Sequence, residues 1–308
     1  ASPTLILTGG GRADHWRLSD GRSRETVLAT GAALTTTDFA DRSGWEGTGR
    51  LGFAWDAASL LTLRGAGYLG WRLPTLNELY RPFRVGPDAT AANAALAPER
   101  LRGVELGLDY EIYTIRLGAT VFWNRLDNAI ANVTLARGPG TFPGVGFVSA
   151  AGAFSQRQNL DAVEAKGVEV ESRADIGAFR LAAAYSYVDS VVQAAAGQGA
   201  IDGLRPAQVP KHFGTGSIGW FPQGGDSGVN ATLRYTGAQF EDDLGALRLD
   251  DALTLDARAA YRISRNLLVE LRAENLFDTT VQAAISGRGI IERAAPRTIW
   301  LGVKVDIE

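Results

Sequence analysis

Apolar and polar residues alternate along most of this chain, which is the pattern of a β-strand with two different faces. The last segment shows it most regularly. Its apolar positions are Ile299, Leu301, Val303, Val305 and Ile307, and between them lie Thr298, Trp300, Gly302, Lys304 and Asp306. Residues 253–263 and 113–124 follow the same rule. We therefore expect antiparallel strands, each with one apolar face and one polar face.

The alternation predicts about twelve strands. They lie at residues 4–18, 45–56, 60–72, 99–112, 113–125, 156–175, 178–190, 212–221, 228–239, 250–263, 267–277 and 296–307. These spans are long for a soluble sheet. No run of about 18 apolar residues predicts a transmembrane helix, but strands that alternate at every second position can cross a membrane without one.

The connections between the predicted strands alternate between short and long. Short links lie at residues 56–59, 111–114, 176–177, 222–227 and 264–266, and long ones near 19–44, 73–98, 126–155, 191–211, 240–249 and 278–295. This alternation places every long connection at one end of the sheet. Outer-membrane barrels have this arrangement, with short periplasmic turns and long extracellular loops. Aromatic residues near strand ends, such as Tyr68, Trp71 and Tyr110, fit the aromatic girdles of such barrels.

Composition narrows the functions further. The net charge is -3, so the chain lacks the basic surface of a nucleic-acid partner. It contains no cysteine, which excludes thiolate chemistry and cysteine-bound metal. We therefore predict an all-β fold: a transmembrane antiparallel up-and-down β-barrel, with residues 1–308 as one domain, in contact with lipid of a bacterial outer membrane.

Several short motifs resemble the C-terminal part of a TonB-dependent outer-membrane receptor. They are the box at 71–80 (W-R-L-P-T-L-N-E-L-Y), the box at 93–99 (N-A-A-L-A-P-E), Glu105, Lys166-Gly167-Val168-Glu169, Pro210-Lys211-His212 and Glu274-Asn275-Leu276-Phe277-Asp278. Each is weak alone, but their order and spacing make the resemblance specific over nearly the whole chain.

The resemblance implies a barrel of about 22 strands around an N-terminal plug, the plugged-lumen class. We find no plug motif, so we expect the barrel portion alone, either a fragment of the larger barrel or a smaller closed one. It also implies uptake of a chelated nutrient such as a ferric siderophore. The TonB energy-coupling complex would act only through the absent plug, and no cofactor is implied.

The candidate ligand-binding residues lie in the long connection after residue 71. They are Arg72, Asn77, Tyr80, Arg81, Phe83 and Arg84. Arginines and aromatics on an extracellular loop could hold an anionic chelate. The alternative is that the box folds this loop back over the strand ends, and we expect that role for Pro74, Leu76 and Leu79.

The remaining polar residues predict no catalytic or metal site. His15 and His212 lack neighbours at metal-ligand spacing, and no histidine lies between the two boxes, which disfavours haem. Charged residues of the polar strand faces are expected to line the lumen and to pair across strands. These residues are Glu105, Asp109, Arg116, Glu169, Glu171, Arg173, Arg258, Arg262, Glu270, Arg272 and Glu274.

Three other functions stay open on the sequence. A barrel without a plug could act as a passive pore. An outer-membrane barrel enzyme would need a Ser/His arrangement, and Ser19 follows His15 by four residues without a recognisable motif. A soluble all-β binding protein would pack its apolar face against a second sheet.

Overall fold

In a computed structural model, which describes residues 4–222, 227–286 and 289–306, twelve long strands form one antiparallel sheet. The strands are β1 (Leu5–Leu18), β2 (Arg42–Ala58), β3 (Leu61–Arg72), β4 (Glu99–Ile112), β5 (Ile115–Asp127), β6 (Ala162–Ile176), β7 (Phe179–Gln193), β8 (His212–Trp220), β9 (Gly228–Thr236), β10 (Ala252–Ser264), β11 (Leu267–Glu274) and β12 (Thr298–Val305). Each strand pairs with the next one along the chain, from β1 to β12. We call this sheet the wall.

All twelve predicted strands are present. Most of their ends shift by one to three residues, and two differences are instructive. The strand predicted over 156–175 begins at Ala162, because Ala153–Asn159 forms a separate short strand elsewhere. The strand predicted over 267–277 ends at Glu274, where Asn275 takes a left-handed φ of 49°. Ile307 and residues 223–226 of one short link lie outside the described residues.

Register separates the two faces of the wall, because residues directly opposite each other point to the same side. Leu106, Val121, Val168 and Tyr187 stand in one row across four strands of the apolar face. The charged residues predicted to line the lumen all share the opposite face. Cross-strand pairs occur there as expected, for example Arg64 to Asp109 at 2.9 Å and Arg258 to Glu270 at 2.5 Å.

The wall has two edges. In the strand order, β1 stands at one end and β12 at the other, and their described residues do not pair with each other. Of the two expected architectures, this open order fits a part of a larger barrel rather than a closed barrel of twelve strands.

The short elements lie at one end of the wall, in the long connections between its strands. They are an α-helix (Leu76–Tyr80), a 3-10 helix (Gly199–Ile201) and the strands Arg22–Thr26, Ala33–Asp38, Phe83–Val85, Asp88–Ala91, Ile130–Arg137, Gly140–Phe142, Gly146–Val148, Ala153–Asn159, Gln239–Phe240, Arg248–Leu249, Gln282–Ile285 and Ile291–Arg293. Among the described residues, no helix has the length and apolar character needed to cross a membrane. We call these long connections together the cap.

Buried apolar side chains concentrate in the cap. One cluster joins Ala129, Val133, Leu160, Val192 and Ile201, and a second joins Ala89, Ala91, Val148 and Phe154. Each cluster draws residues from more than one long connection. The connections therefore pack on each other, and they hold the surface on which the candidate site lies.

Candidate functional site in the cap

The box at 71–80 folds into a short helix whose start is fixed by its own side chains. The Thr75 hydroxyl accepts a hydrogen bond from the Glu78 amide at 3.3 Å, and Glu78 accepts one from the Thr75 amide at 2.7 Å. This reciprocal arrangement is a capping box. Pro74 and Leu79 are buried beneath the helix as expected, but Leu76 is 67% exposed, so its predicted packing role is wrong.

Arg72 ties this helix to the top of the wall. Its guanidinium donates to Glu78 at 2.8 Å and also to Glu99, the first residue of β4. Partial burial alone would raise the pKa of Glu78, but the hydrogen bonds from Arg72 and Thr75 outweigh it and lower the pKa to about 2. Glu78 is therefore ionised at neutral pH and holds the helix against the strand end.

Two long connections are joined by backbone hydrogen bonds into one sheet. Asp88–Ala91 pairs in parallel with Ala153–Asn159, with Phe154 opposite Ala89. Phe83–Val85 and Ile130–Arg137 complete a sheet of four strands. A parallel pair between segments so far apart in sequence needs both connections to be folded, so they form one unit.

Arg157 connects the same two segments through side-chain contacts. Its Nη1 donates to the carbonyl of Asn77 at 2.5 Å and to that of Arg81 at 2.9 Å. Its guanidinium also lies 4.8 Å from the centre of the Phe83 ring, within the range of a cation–π contact. The second box is held as well, since the Asn93 side chain donates to the Arg157 carbonyl at 3.0 Å.

A cleft of about 580 Å³ opens on the surface of this unit. It is lined by Glu25, Pro82, Phe83, Arg84, Gly144, Val145 and Gly146. Arg84 reaches across it, because its Nη2 donates to the carbonyls of Val145 and Phe147. Within the described part of the chain, its Nε and Nη1 make no hydrogen bond, so these donors are available to a ligand.

The structure separates the six candidate residues into three groups. Phe83 and Arg84 line the cleft, and Arg81 is exposed beside them. Arg72 is engaged with two carboxylates. Asn77 contributes its carbonyl to Arg157, and the Tyr80 ring packs against Phe39 with centres 4.5 Å apart.

Sequence reasoning missed four parts of the cleft and its support. Glu25, Arg157 and the Gly144–Gly146 segment come from other connections, and Pro82 was passed over within the candidate segment. No motif surrounds Arg157, so no local signal could have found it.

The two histidines lie at or near strand ends: His15 is three residues before the end of β1, and His212 begins β8. His15 packs on Trp45 with ring centres 4.9 Å apart, and His212 accepts or donates a hydrogen bond with the Tyr185 hydroxyl at 2.7 Å. Over residues 4–222, 227–286 and 289–306, no group of three or more His, Cys, Asp and Glu side chains could hold a metal ion.

Comparison with known proteins gives a consistent result. The family described as TonB dependent receptor-like, beta-barrel, matches residues 1–276. The vitamin B12 transporter BtuB of Photobacterium profundum is 24% identical over 244 residues, which are 79% of this chain and 36% of that protein.

Solved structures show the same fold. The copper transporter OprC superposes with a TM-score of 0.73 at 18% identity, covering 98% of this chain and 45% of that one. The siderophore receptor PiuA from Acinetobacter baumannii gives 0.72 at 17% identity, covering 98% and 40%. The chain thus spans 36% of the length of the BtuB relative and less than half of these two structures.

Proposed function

We propose, from the premise that the chain belongs to the TonB-dependent receptor-like β-barrel family, that its cap binds an anionic metal chelate such as a ferric siderophore for uptake. The family consists of receptors and transporters of the bacterial outer membrane, so the chain is an outer-membrane protein and not an enzyme. Of the similar proteins, one is named a siderophore receptor and another a copper transporter.

The observation that carries the proposal is the cleft around Arg84. Its free guanidinium donors, the neighbouring charge of Arg81 and the Phe83 ring offer charge-assisted hydrogen bonds and an aromatic face to a planar anion. Glu25 contributes the one carboxylate that lines the described cleft. An anionic chelate would therefore dock on the arginine side and away from Glu25.

The proposal includes an orientation and a power source. The cap faces the outside of the cell and the short turns face the periplasm, as the loop lengths of membrane barrels favour. Residues 1–308 act as one barrel domain. Coupling to the TonB complex would act through a plug in the complete receptor, and not through the wall or the cap.

The test is chelate binding to the protein at its full natural length in mild detergent. A panel of ferric siderophores is titrated against wild type, Arg81→Gln, Arg84→Gln and Glu25→Gln. Loss of a charge-assisted hydrogen bond at Arg84 should raise Kd about 10- to 100-fold. Glu25→Gln should lower Kd, because it removes a like charge.

Two features keep this test sharp. The Arg81 side chain makes no described hydrogen bond or ion pair, so Arg81→Gln should weaken the binding of an anion without loosening the cap. Arg84→Gln also removes two hydrogen bonds to backbone carbonyls. Arg116→Gln, at the other end of the wall, is the control with equal charge loss. If all three cleft variants match wild type for every chelate, the cleft is not the binding site. Ion conductance in planar bilayers without chelate binding would favour the passive pore.

A further inference from the structure

The apolar face of the wall gives way to charged residues near the cap, at Lys166 of β6 and Asp189 of β7. Val104, Trp123, Lys166 and Asp189 stand opposite each other in turn across four strands. The row directly below, on the side away from the cap, is Leu106, Val121, Val168, Tyr187 and His212. The first row therefore marks the edge of the apolar face, where a membrane protein meets lipid headgroups.

The height of the apolar face agrees with that placement. From Val168 to Ile176, strand β6 advances about 26 Å at about 3.3 Å per residue. A strand tilt of about 40° turns this length into about 20 Å of depth, close to the apolar band of outer-membrane barrels. Lys166, two residues beyond Val168 towards the cap, then lies at the level of the headgroups.

Three cations surround one carboxylate at this level. Lys211 contacts Asp189 with Nζ 2.6 Å from Oδ1. Lys166 stands directly opposite Asp189 across the strand pair, and both Lys166 and Arg205 interact electrostatically with its carboxylate. Since three positive groups share one negative group, the cluster keeps a net positive charge of two. Its next acidic neighbour on this face, Glu164, stands opposite Arg125, whose guanidinium pairs with Asp127 and Asp161. With Glu164 included, the surface still carries a net positive charge of one.

The two lysines are the accessible cations of this cluster. Lys166 is exposed and, among the described residues, forms no ion pair within 4 Å. The side chain of Lys211 is 38% exposed, while that of its partner Asp189 is 24% exposed and lies behind it. Arg205 lies further back: its Nε is buried, its Nη1 donates to the Ala238 carbonyl at 3.1 Å, and its guanidinium lies 5.7 Å from the centre of the Phe240 ring.

Aromatic side chains lie directly beneath the cluster. Tyr187 and His212 are opposite each other, with ring centres 5.2 Å apart, and Tyr185 bonds His212 at 2.7 Å. Trp123 stands beside Lys166. Aromatic rings at this depth pack against the part of the lipid chains nearest the headgroups. The wall therefore has an apolar binding surface directly below a cationic one.

We propose that Lys166 and Lys211, supported by the positive charge of Arg205 behind them, bind the phosphate of a lipid headgroup in the outer leaflet, with the lipid chains lying against Tyr185, Tyr187 and Trp123. A phosphate is anionic and complements this positive surface. The proposal depends on the membrane orientation given above but not on the chelate cleft, so either can fail without the other.

The experiment measures binding of lipid A, a phosphorylated glycolipid, to the full-length protein in mild detergent by native mass spectrometry. Lys166→Gln/Lys211→Gln should raise Kd about 30-fold, the scale expected when two basic groups are lost at an anionic membrane surface. Lys166→Arg/Lys211→Arg should stay within a few-fold of wild type. The control Arg265→Gln/Lys304→Gln, with equal charge loss at the short-turn end, should bind normally.

Three further results decide the source of the phosphate and the proposal itself. Dephosphorylated lipid A should bind wild type as weakly as lipid A binds the double glutamine variant. Inorganic phosphate at millimolar concentration should not displace the lipid. Unchanged lipid A binding by the double glutamine variant would overturn the proposal, as would displacement by free phosphate or tight binding of the dephosphorylated lipid.

Discussion

The wall leaves large apolar side chains on its surface, whereas the cap buries them. Leu51, Leu106 and Val121 of the wall are 53–73% exposed. Leu79 and Leu249 of the cap are each 1% exposed, although the cap consists of connections between strands. An apolar face is unfavourable when it is exposed to water and favourable when it contacts lipid. The stability of the wall therefore depends on the surrounding lipid, and that of the cap depends on its own packing.

The wall and the cap also differ in which segments their hydrogen bonds connect. In the wall, backbone bonds connect neighbours in sequence order, so each strand needs only the next one. In the cap, the sheet around Ala153–Asn159 joins two connections, and Asp243 of a third accepts from the amide and hydroxyl of Thr134 at 2.8 and 2.7 Å. The cap is therefore a packed unit with its own cooperativity, and the two regions should respond separately to mutation.

The largest difference between the two regions should come from a mutation in the apolar core of the cap. Phe154 is 8% exposed and stacks on Phe142 with ring centres 4.5 Å apart, so Phe154→Ala should destabilise the cap by about 3–5 kcal/mol. Hydrogen exchange should speed up in peptides covering 83–91 and 130–159 and stay unchanged in the wall. Phe147→Ala is the matched control, since Phe147 is 62% exposed and should cost at most about 0.5 kcal/mol. Equal acceleration in the wall would mean that the two regions unfold as one.

A charge on the outer face of the wall should have a slightly smaller effect. Val170 is 45% exposed on the apolar face, between its edge at Val168 and the middle of its depth, so Val170→Arg should cost about 2 kcal/mol in lipid vesicles. Ser186→Arg is the matched substitution on the opposite face, where Ser186 stands opposite Glu169. It should change the free energy of unfolding by at most about 0.5 kcal/mol. A similar loss for both variants would mean that the outer face does not meet lipid.

The strands of the wall could be predicted because the pattern that defines them lies within each strand. Lipid on one side and a polar lumen on the other impose a period of two on every strand, and that period can be read from residues such as those at 299–305. The strand over Glu99–Ile112 matches its predicted bounds for this reason. The same local rule failed at residues 156–161, since an extended chain continues from Ala153–Asn159 into β6 and only the cap packing of Leu160 marks the break.

The cap was predictable only where a motif carries its own geometry. Thr75 and Glu78 form a capping box that spacing alone encodes, and Phe83 and Arg84 were selected from their chemistry. The parallel pairing of Asp88–Ala91 and the placement of Arg157 depend on contacts between residues more than 60 positions apart. Neither leaves a periodic trace in the sequence, so the shape of the cleft had to come from the structure.

The joint between wall and cap should show the smallest effect and a distinctive pH dependence. The pKa of Glu78 is about 2 in the folded protein and lies near 4.5 in the unfolded chain, because Arg72 and Thr75 stabilise the ionised form. A lowered pKa contributes stability above about pH 4.5, and this stability is lost as the pH falls towards 2. Because the Arg72 side chain is 43% exposed, Glu78→Gln should cost only about 1 kcal/mol at pH 7.

Denaturant unfolding of the cap at pH 7, 4 and 2 measures this difference directly. The gap between wild type and Glu78→Gln should shrink between pH 5 and pH 2, where only a small fraction of it should remain. Glu111→Gln provides the matched control, because Glu111 also pairs with an arginine, Arg116 at 2.9 Å, but both side chains are at least 60% exposed. A constant gap across the whole pH range would show that Glu78 stabilises the helix by shape alone, and that its charge does not hold the cap on the wall.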